Sequence, residues 1–231
     1  MHTQPLLTGQ VHVWSASLVQ DPSVLAKLHA SLCADELARA GAFRFDVHRR
    51  RYSCGRGILR SILSAYLRTD AASLRFTYSA TGRPSLNGAE LEFNLAHSDD
   101  VLLIALSGGL RLGIDVECVR ALSDMSAVAR RVFSPGECAY VFRDGTPDPR
   151  RFFRCWTRKE ALLKASGCGL QDHLAAIEVL QDQVTFDPQE DGCCSGSFGL
   201  CDVESGNDCA AALAVLGPAP EILNFTWHEG N

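Results

Sequence analysis

Residues 154–170, RCWTRKEALLKASGCGL, read as a helix running into a glycine stop. Phe152, Trp156 and Leu163 fall on one stripe by their four- and seven-residue spacings, the face a helix turns to a core. Glu160 lies on the edge of that stripe, four residues after Trp156. A carboxylate there is partly desolvated, which raises its pKa unless a cation compensates. Lys164, one turn further on, is such a cation in the favoured Glu-before-Lys order; as an ordinary helix pair it contributes only about 0.2–0.5 kcal/mol. Asp148 and Pro149 supply the N-cap and first helical residue, and Gly167 or Gly169 the stop.

Outward from this helix, the chain mixes helical and strand patterns. QVHVWSASL alternates like a strand, and DPSVLAKLHASL follows with Asp21 as N-cap and Pro22 at the first helical position. The stretch from Asp46 to Leu67 places Ile58, Leu59, Ile62, Leu63, Tyr66 and Leu67 on a core-facing helix. TYSATGRPSL is turn-rich, LEFNLAHS and VLLIALS are two strands joined by a polar corner, and RLGIDVECV is another. FSPGE has the pattern of a capping box, Ser134 with Glu137. AAIEVL, AAALAVLG and ILNFTWH read as strands of the tail, separated by acidic and glycine-rich connections such as FDPQEDGCCSGSFG. SGG at 107–109 marks the seam between an N-terminal half, 1–108, and a C-terminal half, 109–231. Each half begins with a strand and supplies a long helix and more strands, an α+β pattern.

With 231 residues and 46% hydrophobic side chains, the chain can bury a sizeable core. No basic-then-apolar leader opens it and no stretch approaches the roughly 18 apolar residues of a membrane span, so a soluble cytoplasmic protein is expected. The ten cysteines form no CxxC pair and sit inside helical and strand-like runs, which points to reduced thiols and not to zinc or a disulfide framework. A net charge of −5 gives nucleic-acid binding no support. Arginines at 49, 50, 51, 56 and 60, and at 150, 151, 154 and 158, still offer local cationic faces to phosphate or an acidic partner, although a charge run is more often a solvated helix face.

In GIDVE, Asp115 and Glu117 share one side of a strand, about 7 Å apart. Alone, such a pair is the polar face of an amphipathic strand. Joined by Glu160 it becomes a carboxylate set for a hard divalent cation and a phosphate-bearing substrate. His97, at a corner after a strand, can donate to phosphate, and Arg83, between Gly82 and Pro84, can present a guanidinium. A lone histidine is usually structural, and Gly-Arg-Pro is also simply a turn.

Taken in order, GRPSL, FNLAHS, GIDVE and FFRCWTRKEALLKASGCGL resemble the 4′-phosphopantetheinyl transferases of the surfactin-synthetase-activating type, over about residues 39 to 170. The resemblance implies two similar α/β halves about a pseudo-two-fold axis, with coenzyme A in the cleft between them. It implies transfer of the phosphopantetheine arm to a serine of an apo acyl or peptidyl carrier protein, releasing adenosine 3′,5′-bisphosphate, by a monomer that binds neither nucleic acid nor membrane. Asp115, Glu117 and Glu160 would hold Mg²⁺, or Mn²⁺ in its place, and Lys164 would neutralise the phosphate under attack. Glu160 would be metal ligand, base for the carrier serine, or both. Gly82, Arg83 and Pro84 would hold the 3′-phosphate and adenine edge, His97 a phosphate, and Arg39 and Arg51 would grip coenzyme A. Ala96 stands where the family usually has serine, removing a hydroxyl contact. Two other readings are a nucleotide phosphohydrolase using Asp115 and Glu117, and a silent protein that binds coenzyme A or a carrier. The first leaves GRP, FNLAHS and Lys164 unexplained, and the second has no need of the intact acidic set.

Overall fold

The computed structural model describes residues 4–86, 88, 90–169, 174–188, 192–206 and 208–229; Leu170 of the helix motif and residues 189–191 of the acidic connection lie outside them. The first part runs β1 (Gln10–Ser17), α1 (Pro22–Ala30), α2 (Ala34–Gly41), α3 (Asp46–Leu67), a small hairpin of β2 (Phe76–Tyr78) and β3 (Pro84–Leu86), then β4 (Glu92–Ser98) and β5 (Val101–Ser107). The second runs β6 (Leu112–Cys118), α4 (Met125–Val132), α5 (Pro135–Val141), α6 (Pro149–Ser166), β7 (Gln183–Phe186), β8 (Gly196–Asp202), β9 (Cys209–Leu216) and β10 (Glu221–Thr226). The fold is α+β, as expected.

One sheet has the order β10-β1-β5-β4 and the other β6-β9-β8-β7. In both, a strand is followed by three helices, and the strand then pairs antiparallel with a later one that carries its own antiparallel neighbour: β1-β5-β4 and β6-β9-β8. The chain passes from one sheet to the other across 108–111, and β10 returns to lie parallel to β1.

The burial pattern explains why VLLIALS and AAALAVL read as unbroken apolar runs. Leu102, Ile104 and Leu106 pack with α3 residues Ile58, Leu59, Ile62 and Leu63, while Leu103 and Ala105 point the other way. Ala212 and Ala214 likewise meet Ala161, Leu162 and Ala165 of α6, while Leu213 and Val215 face the seam. At that seam the two sheets share one cluster, with Val11, Val13, Leu103 and Ala105 against Ile114, Val116, Leu213 and Val215. Strands buried on both faces lose their alternation.

Helix α6 has built ends. Asp148 Oδ1 accepts from Arg151 N at 3.0 Å. Gly167 takes the left-handed conformation at φ 81°, and Arg111 donates to the carbonyls of Ala165 (2.7 Å) and Ser166 (3.0 Å). The Ser134–Glu137 capping box on α5 forms, whereas Asp21 precedes α1 without a side-chain cap. A buried ion pair joins α5 to α6, with Lys159 Nζ 2.8 Å from Glu137 Oε2.

Two expectations are corrected. AAIEVL is not a strand: Leu174–Ala176 form a 3-10 turn, and the Lys159 ammonium donates to the Leu174 and Ile177 carbonyls that a strand would offer to a neighbour. Nor are all cysteines free, since Cys168 and Cys193 are joined as a disulfide. The strands β7 and β8, unseen in the sequence, complete the second sheet beyond β9.

Removing Glu137 would leave the Lys159 charge buried without its partner. Glu137→Ala is expected to cost about 3–5 kcal/mol of stability in urea unfolding, with Lys159→Met in the same background recovering much of it.

Candidate functional site

The site begins with a glycine. A Cβ on Gly113 would lie 2.3 Å from the Ala161 carbonyl oxygen and 2.4 Å from the Ala165 nitrogen, so glycine alone lets β6 come this close to α6. That approach puts Lys164 Nζ 2.7 Å from Asp115 Oδ1 and 3.1 Å from the Ile114 carbonyl. The helix pair expected between Glu160 and Lys164 is therefore corrected: the lysine turns to the strand.

Glu160 is left with a frustrated carboxylate. Its Oε1 is buried with no hydrogen-bond partner, and so is Asp115 Oδ2. Burial pushes both carboxyls above the usual range; Asp115 and Glu117 add to the rise at Glu160, while Lys164 opposes it at both residues. Glu117 is held differently: Ser98 donates its hydroxyl to Oε2 at 2.8 Å, and Arg120 lies 3.5 Å away. No group of three or more His, Cys, Asp or Glu placed to hold a metal ion occurs among the described residues. The three carboxylates thus sense one another without forming a ready-made ligand set, with Lys164 taking one oxygen of Asp115 and Ser98 one of Glu117.

Two adjoining cavities, of about 360 and 150 Å³, share Gly82, Pro84 and Leu95 in their walls. The larger is lined by Arg83, Asn94, Glu160, Lys164 and Cys168 among others, the smaller by Arg39, Arg51, Tyr52, Arg56, Tyr78 and His97. Eight of the ten candidates named from the sequence line these two cavities; Asp115 and Glu117 do not, and Asp115 is joined to the lining only through its contact with Lys164.

The basic residues are not all free. Arg83 donates to the Lys164 carbonyl at 2.7 Å, to Glu92 Oε2 at 3.1 Å and to the Phe93 carbonyl at 3.3 Å, bracing the hairpin against α6 and β4. Arg51 pairs with Asp100 at 2.9 Å and lies 3.6 Å from Asp99, at the β4–β5 corner. Arg39 stacks its guanidinium over Tyr52, 5.7 Å from the ring centroid. Desolvation, then the cations Arg51 and Lys164, lowers the His97 pKa, so its ring favours the neutral form. Ala96 turns into the inter-sheet core beside Val116 and Leu103.

Sequence reasoning missed Asn94 and Ser98, and named Arg56 only as one of a cationic run. Arg56 and Arg60 grip the two oxygens of buried Glu36, at 2.6 and 2.7 Å, a network that locks α2 to α3 and leaves Arg56 on the wall of the smaller cavity. The four-residue spacing of Arg56 and Arg60 is visible in the sequence, but their shared partner Glu36 is visible only in the fold. Asn94 and Ser98 bond to main-chain amides of the other sheet, Ile114 N at 2.9 Å and Cys118 N at 3.0 Å, contacts that leave no trace in side-chain spacing.

Residues 111–205, which contain β6 and α6, match the family model of the 4′-phosphopantetheinyl transferase superfamily. The chain is 39% identical over 219 residues to the 4′-phosphopantetheinyl transferase HetI of Nostoc sp., covering 92% of this chain and 90% of that protein. It is 35% identical over 124 residues to the 4′-phosphopantetheinyl transferase AcpT of Salmonella typhimurium, covering 52% of this chain and 60% of that one. The chain belongs to the 4′-phosphopantetheinyl transferase superfamily.

Proposed function

We propose that this transferase moves the 4′-phosphopantetheine arm of coenzyme A to a serine of an apo acyl or peptidyl carrier protein, using the cleft between two halves, 1–108 and 109–231. The observation that carries the reading is one cavity lined by Arg83, Glu160 and Lys164, with Asp115 paired to Lys164 behind it, and with one buried oxygen each of Asp115 and Glu160 that has no partner among the described residues.

The donor set fits Mg²⁺, with Mn²⁺ as a substitute. Asp115 Oδ2 and Glu160 Oε1 lack partners, Glu117 has one oxygen held by Ser98, and an all-carboxylate set suits a hard cation. When bound, the metal would offset the charge of the pyrophosphate. Asp115, Glu117 and Glu160 would hold it.

The remaining steps belong to the chain's own groups. Arg83, between Gly82 and Pro84, exchanges its contact with half-exposed Glu92 for the 3′-phosphate while keeping its bond to the Lys164 carbonyl. Arg39 and Arg51 grip coenzyme A, Arg51 by giving up the exposed Asp99 and Asp100 carboxylates. His97 donates to phosphate. Lys164, fixed by Asp115 and the Ile114 carbonyl, is preorganised to neutralise charge on the attacked phosphate. Glu160, its pKa raised by burial, takes the proton of the carrier serine directly or through a water, besides serving as a ligand. One chain supplies both walls, which favours a monomer. No helix among the described residues is long and apolar enough to cross a membrane.

The deciding experiment is intact-protein mass spectrometry of apo acyl and peptidyl carriers incubated with this protein, coenzyme A and Mg²⁺. The expected result is a gain of one phosphopantetheine arm, abolished by EDTA and by Asp115→Ala; coenzyme A binding without any gain would instead make the chain a silent binder.

Arg83→Ala is expected to raise the KM for coenzyme A by roughly 10- to 150-fold, the equivalent of about 1.5–3 kcal/mol for a charged hydrogen bond, with a smaller fall in kcat. Steady-state loading kinetics would separate the two.

A site shaped for a cation is strained electrostatically without one. Because burial raises the Glu160 pKa, the metal-free folded state binds its proton more tightly than the unfolded state does. The charge therefore works against folding at neutral pH and above, and this penalty fades as pH falls towards the ordinary glutamate value of about 4.3. Glu160→Gln should abolish loading yet raise the metal-free melting midpoint at neutral pH by about 2–4 °C. In melts across pH, that gap should close on the acid side.

A further inference from the structure

We propose that Ser98 is the positioning residue of Glu117: a hydroxyl from the first sheet sets the orientation of a carboxylate on the second, and with it the metal affinity of the site. The inference rests on the metal reading above. It starts from the way β4 and β6 meet, at the edges of their two sheets with no backbone ladder between them. Side chains bridge the gap: Asn94 Oδ1 accepts from Ile114 N at 2.9 Å, and four residues along both strands Ser98 Oγ accepts from Cys118 N at 3.0 Å. The equal spacing fixes the register of β4 against β6 on either side of Asp115 and Glu117.

The bridge at Ser98 does more than join the sheets. A serine hydroxyl carries one proton. Its lone pair is committed to the Cys118 amide, and the proton goes to Glu117 Oε2 at 2.8 Å. Ser98 is only 8% exposed, so water competes little for that bond. The other cation near Glu117, Arg120, is half exposed and 3.5 Å away, a contact of little energetic weight. Glu117 Oε1 takes no hydrogen bond from the described residues. The relay from amide to hydroxyl to carboxylate thus holds one oxygen and leaves the other open, as Lys164 does for Asp115. Groups that orient a metal-binding carboxylate typically govern metal affinity by 10- to 100-fold. A consequence is that the N-terminal sheet, whose residue His97 lines the smaller cavity, also tunes the acidic residues of the C-terminal one.

The test uses the full chain with coenzyme A present and Mn²⁺ as probe, its binding followed by electron paramagnetic resonance of the free ion. Ser98→Ala is expected to weaken Mn²⁺ binding about tenfold while the KM for coenzyme A stays within about twofold, and Ser98→Thr, which keeps the hydroxyl, should recover most of the affinity. In a Glu117→Gln background, Ser98→Ala should have no further effect, because both changes act through one group. If the alanine variant melts below the assay temperature, Ser98→Cys, a weak donor of similar size, takes its place. Wild-type Mn²⁺ affinity in Ser98→Ala, or equal losses with and without Glu117, would overturn the proposal alone. A wild-type protein that binds no Mn²⁺ would overturn the metal reading and this inference with it.

Discussion

The bond between Lys164 and Asp115 is the contact around which the site is arranged. It spans two elements, and it exists because Gly113 lets the strand approach the helix backbone more closely than any side chain would allow. Once the ammonium is bonded to Asp115 and the Ile114 carbonyl, Lys164 acts on Glu160 only through space, and the buried Glu160 oxygen becomes a demand for a ligand. The helix around it must then be rigid enough to bear that demand. Its ends are closed by Asp148 at one side and by Gly167 with Arg111 at the other, and its far face is pinned by the Lys159–Glu137 pair. Stability is concentrated next to the place where it is withheld, which is how proteins sustain a local conflict with a function.

Much of this was legible in the sequence, and the exceptions have physical causes. Helices α3 and α6 were visible through apolar spacing and caps, and β4, β5 and β6 through short apolar runs bounded by polar corners. The hairpin of β2 and β3 was seen only as its turn, since three-residue strands carry too little pattern. AAIEVL failed as a strand where a 3-10 turn opens it and the buried Lys159 ammonium takes the Ile177 carbonyl, a tertiary competitor that local propensity does not contain. The disulfide between Cys168 and Cys193 joins residues 25 apart with no distinguishing spacing.

The residues of the site divide along the same line. Asp115, Glu117, Glu160, Lys164, Arg83 and His97 stand in compact motifs, and of these Glu160, Lys164, Arg83 and His97 line the two adjoining cavities. What the motifs did not contain was who holds whom. Helical spacing offered Lys164 to Glu160, but the lysine also reaches a strand 50 residues away, and the shorter contact to Asp115 prevails. Asn94 and Ser98 were part of FNLAHS yet invisible as bridges, because their partners are peptide amides.

The return of β10 to the side of β1 has a bearing on how the molecule is made. The first sheet takes its order from residues at both ends of the chain, with Gln10 opposite Glu221 and Ser15 opposite Thr226. During synthesis β1 can pair with β5 as soon as the latter emerges, but its other edge waits for nearly the whole polypeptide. A nascent N-terminal half therefore carries an open, largely apolar strand edge while the rest is translated, the period in which such edges invite association with other chains. Closing that edge requires β10, which follows every strand of the second sheet in chain order, so the first sheet is completed only after all strands of the second have been synthesised.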